Sequence, residues 1–207
     1  MGILVGWHVS ERSVRLKAII TSMSLFTSDR ERRLWLWVLA VVVAICSTLG
    51  PAETLVAFLR ERNLLRVSFA LVLLLVVGAI AGRWVKRRPG RGEIGVALGV
   101  TAVYLMAWIR IQSWEERTHL IEYGLVAVLI YQALTERLRH GRRVPAPAAV
   151  AVAVTELLGC LDEGIQPILP NRVYDIRDVG FNAAAGLMAM AAILALARAR
   201  RWGSLRR

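Results

Sequence analysis

The stretch HLIEYGLVAVLIYQAL, residues 119–134, carries no charge after Glu122 and is apolar almost throughout. Its length and composition read as a membrane-spanning helix rather than as a segment of a soluble domain. Its first turn is different. His119, Glu122 and Tyr123 are spaced i, i+3, i+4 and so share one helix face. A carboxylate about one turn inside an apolar segment is costly unless it is paired or faces a wet cavity. The stretch therefore raises two questions: what surrounds it, and what holds Glu122.

Five further apolar runs flank it, at residues 34–49, 67–82, 94–111, 144–161 and 178–197. Each approaches the roughly 20 residues that cross a bilayer, and the shorter ones can be extended by snorkelling Arg and Trp. Pro145 and Pro147 fall in the first turn of the fifth run, where proline is tolerated. The chain is 57% hydrophobic with a mean hydropathy of +0.52, too apolar for an ordinary soluble domain. The expected fold is all-α: a polytopic membrane helix bundle of six transmembrane helices.

The net charge of +12 raises the question of nucleic acid. The basic residues, however, cluster between the apolar runs. Taking the N-terminal tail, 83–93, 135–143 and the C-terminal tail as one side, that side holds 20 of the 27 Lys and Arg. This asymmetry predicts N- and C-termini in the cytoplasm. It also makes the basic residues topology signals and excludes a nucleic-acid partner; the partner they imply is the lipid bilayer. No clean signal peptide is present.

The expected organisation is a basic cytoplasmic tail at 1–33, three transmembrane helices within 34–112, three more within 113–197, and a basic tail at 198–207. The first tail reads as floppy, or as an over-early start with Met23 the true one, in preference to an interfacial helix. Residues before Met23 are expected to be dispensable. Residues 53–66 (ETLVAFLRERNLLR) read as a short amphipathic helix on the outer face. Cys46 and Cys160 lie inside apolar runs without a CxxC and read as buried thiols.

The densest polar chemistry lies in DEGIQPILPNRVYDIRDVGFNAAAG, residues 162–186, on the extracytoplasmic side of this topology. Glu156, Cys160 and Glu163 step i, i+4, i+7, and Asp162, Glu163 and Gln166 form a D-E-x-x-Q group. Pro167 and Pro170 end the helix, and Asn171-Arg172 makes a turn. Asp178, Asn182 and Gly186 then step i, i+4, i+8 along one face. Plainer readings stand beside the functional ones. Asp175 and Asp178 can be helix caps, Asn182 an interhelical hydrogen bond, and Arg172 and Arg177 neutralising partners. Against these stands the ensemble, since ionisable groups from three consecutive spans meet one leaflet.

H-x-x-E-Y-G, then D-E-x-x-Q, then P-N-R with D-x-x-D-V-x-x-N-x-x-x-G, resembles the VanZ-like family of small multi-span bacterial membrane proteins, over residues 117–194. The family takes its name from a member tied to low-level teicoplanin resistance, a glycopeptide resistance. The resemblance implies the bacterial inner membrane and a cell-envelope role, without an established reaction. By motif match, the family's polar positions fall on His119, Glu122, Tyr123, Asp162, Glu163, Gln166, Arg172, Asp175, Asp178 and Asn182. Where relatives often have glycine before the motif arginine, this chain has Asn171, and both tolerate a turn.

Three functions follow as alternatives. The first is a site for an anionic or glycosylated envelope ligand, free or lipid-linked. There Arg172 and Arg177 would hold phosphate or carboxylate. Glu122 or Glu163 would be the general base, with His119 assisting or binding a metal. Tyr123, Asp162, Gln166, Asp175, Asp178 and Asn182 would line it. The second is a non-catalytic subunit or scaffold of a membrane protein complex, its polar cluster a structural network. The third is a small transporter titrating Glu122 and Glu156, against which no inverted repeat is visible. There is no nucleophile elbow and no HExxH, so nothing in the spacing proves catalysis; no metal is assigned and no cofactor named.

Overall fold

A computed structural model describes residues 25–48, 58, 61, 62, 64, 67, 74, 89–111, 114–168 and 174–205. The described residues are helical, with no strand among them. The elements are α1 (Asp29–Thr48), α2 (Arg91–Arg110), α3 (Trp114–Arg139), α4 (Pro147–Ile165), a 3₁₀ turn (Gln166–Ile168) and α5 (Ile176–Leu205). The 67–82 run and the 53–66 segment lie almost wholly outside the described residues. Within the latter, the Arg62 guanidinium sits 5.1 Å over the exposed Phe58 ring.

Local chemistry sets the helix ends. α1 starts before its apolar run. The Glu31 amide donates to Ser28 Oγ at 3.0 Å, and the Glu31 carboxylate reaches back to the Thr27 amide and hydroxyl, at 2.7 and 2.6 Å. This is a capping box whose return bond is made one residue early. α3 ends in a Schellman motif: Gly141 takes φ +80°, its amide donates to Leu138 O, and the Arg142 amide donates to Arg137 O. α4 begins at Pro147, and the preceding Ala146, between two prolines, is left-handed at φ 40°. α5 does not stop where the basic C-terminal tail was expected. It runs on to Leu205, and Arg200 pairs with Glu93 at the start of α2.

α3 and α5 form the centre. α3 packs on α1, α4 and α5; α5 also packs on α4 and α2. The buried face of α3, through Leu120, Tyr123, Val126, Ala127, Ile130, Ala133 and Leu134, follows helical periodicity. Small residues let the helices approach. Gly124 faces Ala185 and Ala189, Gly186 faces Thr155 and Ala127, and Gly159 lies against Asn182. Outward, Leu98, Leu105, Ile109, Leu125, Leu157, Leu187 and Leu194 are exposed. Three helical segments, Arg91–Arg110, Arg117–Arg139 and Ile176–Leu205, are long and apolar enough to cross a membrane. Those spans, with their outward-facing leucines, identify a helical membrane protein. α1 and α4 are interrupted by charge, α1 in its opening turns and α4 at Glu156, Asp162 and Glu163.

One end of the bundle is clasped by charge. Glu31, fully buried, accepts from Arg137 Nε at 2.7 Å, and Arg137 Nη2 donates to Leu25 O at 2.6 Å. Beside it Glu136 lies 3.4 Å from Arg30 and 3.5 Å from Arg139. Burial opposes the charge on Glu31, but its bonds to Thr27 and the Arg137 guanidinium outweigh burial and hold its carboxyl below the usual range near 4.5.

Two outcomes follow. A lowered carboxyl pKa stabilises the fold above its ordinary value, and that stability is lost as pH falls through the folded value. The thermal midpoint of the detergent-solubilised chain should therefore fall as pH drops below about 4.5, and Glu31→Gln should flatten that slope. Second, a methyl on Gly159 would lie 2.7 Å from Asn182 Nδ2 and 2.8 Å from its Cβ. Gly159→Ala should cost about 1–3 kcal/mol. Gly164→Ala, which meets nothing within 4 Å, should be near neutral in the same melt.

Candidate functional site

The other end of the bundle gathers the polar residues. α3 contributes His119, Glu122 and Tyr123 from its early turns. α4 contributes Asp162 and Glu163 from its last turn, and the 3₁₀ turn contributes Gln166. α5 contributes Asp178 and, one turn further in, Asn182. Pro167 ends the helical hydrogen bonding of α4 by lacking an amide proton. Asp175 opens α5: its Oδ1 accepts from the Arg177 amide at 2.8 Å and its carbonyl from the Asp178 amide at 3.1 Å. That is cap geometry, and acids suit this helix end.

Two carboxylates are held inside. Asp162, 2% exposed, accepts from the Tyr123 hydroxyl at 2.9 Å, and Cys46 Sγ approaches its other oxygen at 3.9 Å. Glu163, with no exposed surface, accepts from Gln166 Nε2 through one oxygen and from the Asp175 amide, at 3.3 Å, through the other. Glu122 is half-buried beside them, within electrostatic reach of Asp162. The His119 ring stacks on Tyr123 with centroids 5.6 Å apart.

Other buried polar atoms lack partners among the described residues: His119 Nδ1, Thr155 Oγ1, Glu156 Oε2 and both amide atoms of Asn182. Buried polar groups are nearly always hydrogen-bonded, so these atoms are the ones with hydrogen-bonding capacity left over at this end. Beside it, an apolar cleft of about 450 Å³ opens between α2, α3 and α5, lined by Ala107, Arg110, Ile111, Leu120, Phe181, Ala184 and Met188.

Of the residues singled out in sequence, His119, Tyr123, Asp162, Glu163, Gln166, Asp175, Asp178 and Asn182 meet at this end, with Glu122 at its edge. Arg172 lies outside the described residues. Arg177 departs from the expectation that it pairs with the acids. It is exposed, its backbone amide alone joins the cap, and among the described residues its guanidinium forms no ion pair. On the first turn of α5 it points to solvent while Asp178 turns inward. Glu156 approaches Cys160 Sγ at 4.0 Å, and Cys160 is exposed rather than buried. Sequence reasoning missed Cys46, Thr155 and Gly159. The Thr155-x-x-x-Gly159 spacing, small residues on one helix face, was the available signal for the last two.

No known protein family, no curated protein and no solved structure matches this chain.

Removing the Tyr123 hydroxyl takes a charge-assisted donor from a buried carboxylate. Tyr123→Phe should lower stability by about 1.5–3 kcal/mol. Tyr123→Phe combined with Asp162→Asn should lose less than the two single losses together, which a double-mutant melting cycle in detergent would register.

Proposed function

We propose that this chain is a VanZ-like protein of the bacterial cytoplasmic membrane, with six spans and both termini cytoplasmic. Its extracytoplasmic polar site binds a lipid-linked envelope ligand with a glycosylated or anionic head. The observation that carries this reading is the apolar cleft lined in part by Arg110, beside a cluster of buried, partly unpartnered polar groups. An amphiphile matches both parts. Its chain displaces lipid from the cleft, and its head meets carboxylate acceptors, the Asn182 amide and the Arg110 cation. Acceptor-rich carboxylates suit sugar hydroxyls, while an arginine in the cleft lining suits phosphate. His119, Glu122 and Glu163 are the groups with which this reading would associate proton transfer.

A second reading, a structural network in a scaffold subunit, draws on the satisfied Tyr123–Asp162 and Gln166–Glu163 pairs. Ala184→Trp narrows the cleft from its exposed side without touching the polar network. It should reduce binding of a lipid-linked oligosaccharide at least tenfold, read by native mass spectrometry, at an unchanged melting midpoint. Unchanged binding would favour the scaffold. A reporter fused after Arg207 should be active only in the cytoplasm; periplasmic activity would remove the six-span topology.

A further inference from the structure

His119, Glu163 and Asp178 come from three different helices. Each presents a ligand atom, an imidazole nitrogen or a carboxylate oxygen, and these atoms all lie within 4.8 Å of one another. Glu163 and Asp178 lie far along the chain from His119, so no local spacing shows that these three, out of the polar cluster, present their ligand atoms to one point.

We propose that His119, Glu163 and Asp178 form the binding site of one divalent transition-metal ion of zinc-like character. The proposal needs neither the lipid cleft nor the family resemblance. Four observations carry it. First, His119 is only 6% exposed, yet its Nδ1 is buried without a hydrogen-bond partner among the described residues. An imidazole in such a position lacks the donor or acceptor it needs, and a metal ion would meet that need. Second, the ligand geometry is close to what an ion requires. Bonds of about 2.1 Å in a tetrahedral site put ligand atoms about 3.4 Å apart. Atoms within 4.8 Å of one another are at most about 1.4 Å from that spacing.

Third, the supporting contacts hold the ligands in place. Gln166 Nε2 and the Asp175 amide orient the Glu163 carboxylate, and Tyr123, tethered to Asp162, stacks on the His119 ring. Outer contacts of this kind position first ligands in metal sites. Fourth, the charges suit a cation. Glu163 is wholly buried and Asp178 partly so, and a divalent ion suits a site that offers two carboxylates and a neutral imidazole. One nitrogen with two oxygens favours a borderline ion over Ca²⁺ or Mg²⁺, which prefer all-oxygen shells of six or more. Three protein ligands leave a coordination position open, as in zinc sites that bind a further molecule.

The test uses the untagged full chain, purified in detergent and stripped with EDTA. Titration with ZnCl₂ by calorimetry, and with CoCl₂ by visible absorption, should give one ion per chain and a tetrahedral cobalt spectrum. His119→Ala and Asp178→Asn should each weaken Zn²⁺ affinity at least tenfold. His140→Ala, at the opposite end of the bundle, should leave it unchanged. If His119→Ala does not fold, Asp178→Asn decides alone, because Asp178 is only partly buried. Absence of saturable binding by the folded wild type overturns the proposal, and so does an affinity that the substitutions leave unmoved. Absence of lipid-linked ligand binding by the wild type, with its zinc binding intact, would strike the functional reading and leave this one standing.

Discussion

A carboxylate withdrawn from water inside an apolar bundle must find its partners within the protein, and Asp162 sets the terms for the acidic end of this bundle. Its hydrogen bond from Tyr123 ties the last turn of α4 to the early turns of α3. With those two helices fixed in rotation, the neighbouring residues have little choice. Glu163, one position on, points to Gln166 and the start of α5. The Tyr123 ring, pinned by its hydroxyl, becomes the surface on which His119 stacks.

The same helices could not meet without small residues. Asn182 lies against the backbone at Gly159, and Thr155 against Gly186, so α4 and α5 approach closely where their polar groups need to converge. In an apolar solvent such approach is driven by packing and interhelical hydrogen bonds, because lipid offers no hydrophobic gain for helix association. Small residues are thus what let side chains from α3, α4 and α5 reach one site. At the opposite end, Glu31 with Arg137, and Glu93 with Arg200, join α1 to α3 and α2 to α5. The bundle is held by ion pairs at its basic end and by carboxylate hydrogen bonds at its acidic end.

That division has a functional sense. The acids at the basic end, Glu31, Glu136 and Glu93, each have an arginine partner, and α3 closes there in a Schellman turn. The acidic end leaves His119, Thr155 and Asn182 with unused hydrogen-bonding capacity and lies next to an open apolar cleft. A protein stabilised at one end can keep under-satisfied polar groups at the other, where a ligand or ion can complete them.

Much of this molecule was legible in its sequence. The apolar runs and helical periodicity are properties of neighbouring residues, so the all-helical membrane class and the spans around residues 94–111, 119–134 and 178–197 could be read from them. Helix spacing likewise placed His119 with Tyr123, and Asp178 with Asn182, on shared faces. The capping box at Ser28 and Glu31 was there to be read as well, as was the Thr155–Gly159 spacing. What only the tertiary structure decided is which face meets which. Tyr123 with Asp162, Glu31 with Arg137, Gly159 with Asn182, and His119 with Glu163 and Asp178 depend on how each helix is rotated and crossed against its neighbours. Those angles are set by packing among side chains distant in sequence, which no local spacing encodes. For the same reason Arg177, though one residue from Asp178, faces solvent while Asp178 faces the site: helical neighbours point about 100° apart, and the packing of α5 on α3 and α4 chose between them.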